Sequence, residues 1–371
     1  MGSALLIFAI ICLALQGVGT ALAFAALWRK PGKGLQPLPP VSVLRPICGL
    51  ENFLEETLET TFGAAYPTYE LIFCAADPAD PAVPLVQRLM AKYPEVEARV
   101  LTGDDKVSGN PKLNNLVKGW KAARYDHILM SDSNVLLPPD YLSRCMAEFT
   151  PNTGLVSSPP IGIRPEGFAA RLECAFLNTF QARVQMASSA LGIGFAQGKM
   201  LFWDRRVLEK AGGIAILGRE MAEDVASTKT VRAAGKVVSL PGRFFEQPIG
   251  PRKASVVWNR QVRWAKVRRL GFPLLFLPEL IAGAALPFLA LAASSAPLWT
   301  LPAFLILWYL PEYALASAGN WPRSPGDIAA WLARDALLPV LWCAAWRGNS
   351  FEWRGNAMTV ADVTAKDVTS K

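Results

Sequence analysis

The sequence predicts an α/β fold, a mostly parallel sheet covered by helices on both faces, flanked by segments apolar enough to enter a membrane. Three observations carry that reading. Between Val41 and Met130, short apolar runs of strand length alternate with helical stretches. Ala4 to Leu27 contains no charged residue, and about 20 such residues cross a bilayer. Three further apolar runs follow Leu270.

Composition agrees. Of 371 residues, 52% are hydrophobic and only 18% charged, with a mean hydropathy of +0.25, which is too apolar for an ordinary soluble enzyme. The length allows one sizeable core plus additional segments. A net charge of +8 suits nucleic acid, anionic lipid or small anionic substrates. The basic residues are interspersed with apolar segments and no nucleic-acid-binding motif occurs, so the expected partners are a membrane surface and phosphate, and no nucleic acid. Six cysteines without C-x-x-C spacing read as reduced thiols. The single histidine, His127, opens a strand-like run. A histidine triad or zinc site is thereby excluded, and acid–base work falls to carboxylates.

In order, Ala4–Leu27 reads as a transmembrane anchor. Trp28, Arg29, Lys30 and Lys33 follow it with no basic residue before it, which puts the next domain in the cytoplasm. A cleaved signal peptide with Ala21-Leu22-Ala23 as its site would need a basic leader that is missing. Strands are expected at Val41–Pro46, Tyr69–Ala76, Val96–Leu101 and His127–Met130. Helices are expected near Glu51–Phe62, Ala82–Lys92 and Leu113–Ala123. Further on come a strand at Leu155–Ser158, a long helix near Phe168–Ala187, a glycine-rich stretch from Gly192 to Gly198, a short helix at Arg206–Ala211, and a helix from Glu220 to Ala234 with Glu223-Asp224 in its first turn. Ser255–Arg269 is amphipathic. The apolar runs Leu270–Ala293, Leu298–Ala318 and Ile328–Trp346 complete the chain, the last carrying Arg334 and Asp335, so that it spans or lies in the interface.

In parallel sheets ligands gather at the carboxyl ends of strands. Asp77 and Asp132 each stand just past such an end. Asp132, in Ser131-Asp132-Ser133-Asn134, is the candidate metal ligand. The D-x-D spelling is not met, because Asn134 takes the third position; water, phosphate oxygens and Asn134 would complete the shell. A loop or capping role is the alternative. Asp77 either accepts a hydrogen bond from a nucleotide base or ribose, or is a turn residue in its D-P-A-D-P context. Asp224 is the candidate base for a poorly nucleophilic hydroxyl, with Glu223 as rival and helix capping as the plain alternative. Arg260 and Arg263, three apart, share a helix face and suit a diphosphate, with Trp264 beside an acceptor. A juxtamembrane basic helix is the competing explanation.

Taken in order, Asp77, the N-P-K-L-N-N-L run from Asn110 to Leu116, Asp132-Ser133, Glu223-Asp224 and R-x-x-R-W from Arg260 to Trp264 resemble the ceramide glucosyltransferase family, relatives of the processive polysaccharide synthases. The similarity covers about residues 40 to 270 and continues into the flanking apolar segments. It implies a glycosyltransferase type A fold, a Rossmann-like mixed sheet, and inverting transfer of glucose from UDP-glucose to a lipid hydroxyl, assisted by Mg or Mn. It also implies roles: Asp77 in the nucleotide site, Asp132 at the metal and diphosphate, Asp224 as base, Lys112 and Asn114 lining the donor site, and Arg260, Arg263 and Trp264 supporting donor and acceptor. The histidine that animal members carry has no counterpart near Thr179-Phe180-Gln181.

The expected organisation is an anchor (1–30), a cytosolic catalytic domain (31–250), an interfacial helix (251–269), C-terminal transmembrane or interfacial helices (270–348) and a loosely ordered tail (349–371). Alanine- and arginine-rich usage suggests a bacterial inner-membrane protein with its catalytic domain facing the cytoplasm. The expected acceptor is ceramide. Diacylglycerol or a hopanoid, with another UDP-sugar as donor, is the alternative within the class, and a non-catalytic nucleotide-sugar-binding membrane protein the alternative outside it.

Overall fold

The computed structural model describes residues 2–353 and 356–359. Its strands are β1 (Val41–Ile47), β2 (Tyr69–Ala75), β3 (Ala98–Thr102), β4 (His127–Ser131), β5 (Thr153–Ser157), β6 (Pro160–Glu166), β7 (Met200–Asp204), β8 (Val237–Ser239), β9 (Phe245–Pro251), β10 (Ser350–Trp353) and β11 (Asn356–Thr359). The chain forms two units. A sheet unit comprises Arg29–Pro160, Gly192–Pro248 and Ser350–Lys371, and a helical unit Met1–Trp28, Ile161–Leu191 and Ile249–Asn349.

The sheet unit is built on seven strands in the order β3-β2-β1-β4-β7-β5-β8. β3, β2, β1 and β4 are parallel, while β7 runs antiparallel to both β4 and β5, so the sheet is mixed. Alternation sorts the strand residues to two faces. Val41, Val43 and Ile47 join Leu71 and Phe73 in one core, and Leu44 and Ile72 join Leu116 and Trp120 in the other. Arg45 breaks the pattern. It is fully buried, and its guanidinium donates to the carbonyls of Thr57 (3.1 Å), Ser133 (3.2 Å) and Val135 (3.2 Å), which fastens the loop after β4.

β6 to β11 are absent from the sequence reading, and of these β7 positions the site. Pairing of Ser131 with Met200 sets Asp132 beside Lys199, and the Asp132 N–H donates to the Lys199 carbonyl at 3.0 Å. β6 and β9 form a separate two-stranded ribbon. In the segment expected to be a loose tail, β10 and β11 pair antiparallel; the rest of that segment lies outside the described residues. His127 is buried against Phe149, ring centroids 5.1 Å apart, and burial lowers its pKa. All six cysteines are free.

Among the described residues, three helices of the helical unit are long and apolar enough to cross a membrane: Gly2–Leu27, Thr300–Ala318 and Pro325–Ala345. The run expected at Leu270–Ala293 is instead broken into Pro273–Ile281 and Ala285–Ala292, bent by 45°. Pro273, Pro278 and Pro287 interrupt its backbone hydrogen bonding, and Gly283 comes so close to Asp335 that a Cβ there would lie 3.1 Å from its Cα. Charges among these helices are paired. Arg334, 2% exposed, meets Glu312 at 2.7 Å and Asp335 at 2.8 Å and donates to the Thr179 hydroxyl. Asp335 also accepts from Tyr309 and from the Ala284 N–H.

The structure groups Ile161–Leu191 with these helices, whereas the boundaries read from sequence leave it inside 31–250. Its helix, Phe168–Ala190, is wound as a π-helix from Phe176 to Ala182. Phe176 and Phe180 are buried with Phe276, Leu338 and Leu341, and Arg183 bonds to Gln16 of the N-terminal helix.

Candidate active site

The helix Pro111–Ala122 starts with Asn110, whose side-chain oxygen caps the N–H groups of Lys112 (3.0 Å) and Leu113 (3.1 Å). Proline at the first helical position and this cap fix the turn that carries Lys112. The Asn110 amide donates in turn to Glu223 Oε2 at 2.7 Å. Lys112 Nζ lies 2.6 Å from Asp132 Oδ1 and 2.7 Å from Glu223 Oε1, and it donates to the Gly198 carbonyl. One ammonium group therefore ties together the loop after β4, the glycine-rich stretch and the start of the helix Glu223–Ala233. Burial opposes that charge, but the two carboxylates outweigh it and raise the pKa of Lys112.

Asp224, in the first turn of that helix, has both oxygens bound to backbone: Oδ2 accepts from the Gly198 N–H at 3.0 Å and Oδ1 from the Val225 N–H at 2.8 Å. Its carboxyl is nevertheless pushed up to about 6, first by burial and then by the negative charge of Glu223. Asp132 goes the other way. Burial would raise its pKa, yet Lys112 and Lys199 hold it well below the usual carboxylate range. Two acids a short chain of contacts apart thus differ in character, one with its proton affinity lowered by lysines and one with it raised by burial and a neighbouring carboxylate.

Among the described residues, no group of three His, Cys, Asp or Glu side chains is arranged to hold a metal. Asp132 and Asn134 do, however, share a cation already. Lys199 Nζ is 3.0 Å from Asp132 Oδ2 and 2.9 Å from Asn134 Oδ1. That position suits positive charge, and Mg or Mn bound alongside phosphate needs only one or two carboxylates. One carboxylate and one amide oxygen form a donor set that fits a divalent ion whose remaining ligands are water and phosphate oxygens.

Asp77 is exposed just past β2, with Oδ1 accepting from the Ala79 N–H at 2.8 Å in a local turn. Asn114 is committed to the preceding loop: its oxygen accepts from the N–H groups of Val107 and Ser108, and its amide donates to the Ser108 carbonyl. Asn114 shapes the loop, then, where the sequence reading has it lining the donor site. Asn115 donates to the Cys74 carbonyl at the end of β2.

The sequence reading gives no individual role to Asn110, Gly198 or Lys199. The Asn-Pro pair before an amphipathic run was a cap signal for the first; the other two become neighbours of the acids only through β7.

Arg260, Arg263 and Trp264 belong to the helix Ala254–Gly271 of the helical unit. There Arg260 pairs with the fully buried Glu173, which Arg252 also contacts at 3.3 Å. The Arg260 guanidinium stands 6.0 Å from the Trp264 ring centroid. Trp264 packs against Ala170, Cys174, Leu177 and Ile249. Gln261, buried on the same helix, accepts from Gln181 at 3.1 Å.

Comparison with known proteins agrees with the mixed sheet. Over 336 residues the chain is 29% identical to ceramide glucosyltransferase 3 of Caenorhabditis elegans, covering 87% of this chain and 73% of that one. It is 32% identical over 245 residues to a ceramide glucosyltransferase of Komagataella phaffii, covering 58% and 48%. Among solved structures, a mannosyltransferase from Pyrobaculum calidifontis in complex with GDP-mannose and Mn2+ superposes with a TM-score of 0.52 at 17% identity, covering 92% of this chain and 97% of that one, which shows a shared fold. The profile of glycosyl transferase family 21 matches residues 6–365, and the chain belongs to that family of glycosyltransferases.

Proposed function

We propose that this protein transfers glucose from UDP-glucose to the primary hydroxyl of ceramide, with inversion at the anomeric carbon, at the cytosolic face of a bacterial inner membrane. The single observation that carries the chemistry is the bridge made by Lys112, which links an acid held ionised, Asp132, to the Glu223-Asp224 pair, in which Asp224 has an affinity for protons suited to a base. The ceramide acceptor is taken from the relatives' chemistry, and the apolar helices provide the lipid setting it needs.

Asp224 accepts the proton of the lipid hydroxyl as its oxygen bonds to the anomeric carbon and the bond from that carbon to the diphosphate breaks. The N–H groups of Gly198 and Val225 fix the direction in which the carboxylate points. Lys112 and Lys199 supply positive charge for the departing UDP. Asp132, with Asn134, would hold Mg or Mn, which when bound neutralises diphosphate charge. Asp77 serves the nucleotide, as in the family that the motifs resemble, and Arg260, Arg263 and Trp264 serve donor and acceptor, with Glu173 fastening Arg260.

The test incubates purified protein in detergent with a panel of UDP-sugars and with ceramide, diacylglycerol and a hopanoid, and identifies products by mass spectrometry. A β-glucosylceramide product is expected. Asp224→Asn should abolish transfer and still bind UDP. Normal turnover by that variant would remove Asp224 from the base role, and a glycosylated diacylglycerol or hopanoid alone would replace ceramide as the acceptor.

A further inference from the structure

Both oxygens of Asp132 are occupied by side-chain cations. Lys112 Nζ is 2.6 Å from Oδ1, Lys199 Nζ is 3.0 Å from Oδ2, and the second ammonium also takes Asn134 Oδ1 at 2.9 Å. These are the oxygens that the reading above gives to a divalent cation. The ammonium groups of Lys112 and Lys199 face the carboxylates of Asp132 and Glu223, with Asp224 next to Glu223 and Glu51 accepting from the Asn134 amide at 2.9 Å. Asp132, Glu223, Lys112 and Lys199 are largely buried, with side-chain exposures of 21%, 5%, 12% and 17%, so solvent screens them little.

We propose that Lys199, with Lys112, keeps the divalent cation out of the donor-free site, so that metal and nucleotide diphosphate enter together and Lys199 passes from Asp132 to the diphosphate as they do. The inference rests on the donor and metal assignment made above. A bare dication approaching Asp132 must displace one ammonium while repelled by both. A nucleotide diphosphate changes the balance, because its oxygens carry enough negative charge to accept the dication and to give the displaced lysine a new partner. Lys199 suits this exchange. Its compact charge on a flexible stem moves between carboxylate and phosphate without the geometric demands of a guanidinium. Its backbone stays fixed by the pairing of β7 with β4, so only the side chain has to travel.

The experiment measures Mn2+ binding to the purified full-length protein in detergent by the loss of the free Mn2+ EPR signal, with and without UDP, corrected for Mn2+ bound by UDP itself. UDP binding is followed separately by calorimetry. The wild type is expected to bind Mn2+ at least tenfold more tightly with saturating UDP than without it. Lys199→Met is expected to bind Mn2+ without UDP at least tenfold more tightly than the wild type, with Lys199→Gln as the second variant should the first fail to fold. Equal Mn2+ affinity with and without UDP in the wild type overturns the proposal while leaving the donor reading intact. Mn2+ affinity that neither Lys199 substitution changes does the same. Failure of UDP to bind under any of these conditions defeats the donor reading and the proposal together.

Discussion

The N–H of Gly198 donates to Asp224 Oδ2 at 3.0 Å, and the same glycine passes so near the neighbouring acid that an added Cβ would lie 2.9 Å from Glu223 Oε1. Gly198→Ala therefore forces Glu223, Asp224 or the strand-leading backbone to shift. The expected result is a loss of kcat of about tenfold or more, since misplacing a reacting group by an ångström costs up to about a hundredfold. The melting temperature should change by only a few degrees. Undiminished kcat would show that the close approach is not part of the catalytic geometry.

The two acids predict a pH profile. A base must be deprotonated to act, so transfer should fall about tenfold per pH unit below the Asp224 pKa of about 6 and level off above it. Asp132, held ionised by its lysines, contributes no second limb in that range. Burial is the larger cause of the Asp224 shift and Glu223 the next. Glu223→Gln should consequently move the acidic limb to lower pH. A limb that stays in place assigns the shift to burial alone.

Within the helical unit, Arg334→Met leaves Glu312 and part of Asp335 buried without their cation. Removing one partner of a buried ion pair costs about 3–5 kcal/mol. Thermal melting in detergent should register a loss of that order, and Arg334→Met combined with Glu312→Gln should recover part of it. A single variant as stable as the wild type would mean that water or lipid headgroups reach Glu312.

The first half of the sheet was readable because β1, β2 and β4 are short apolar runs ending in turn residues, and each was placed within a residue or two. β7 was not. Met200–Trp203 is a continuous apolar run of four, a pattern that cannot by itself separate a buried strand from a piece of buried helix, and nothing local marks its antiparallel direction. The same gap hid Lys199, whose nearness to Asp132 is a consequence of strand pairing. Asp132, Asp224 and Lys112 stand out as candidates because their order along the chain carries family information. The bonds of Asn114 to its own loop are likewise a product of tertiary placement that membership of a motif does not give. The bend at Ala282–Ala284 escaped notice because hydropathy measures apolar length and is blind to the prolines within it.

The helix Phe168–Ala190 interrupts the sheet unit in sequence, yet it packs with helices from both ends of the chain. Trimming the termini to obtain a water-soluble reagent would therefore strand Phe176, Phe180 and the polar side chains around Arg183 without their partners. A fragment limited to 31–250 is expected to elute as aggregate on size exclusion unless detergent is added. Anyone wishing to study the nucleotide chemistry in aqueous buffer would do better to replace that greasy insertion with a short polar linker than to cut at the ends.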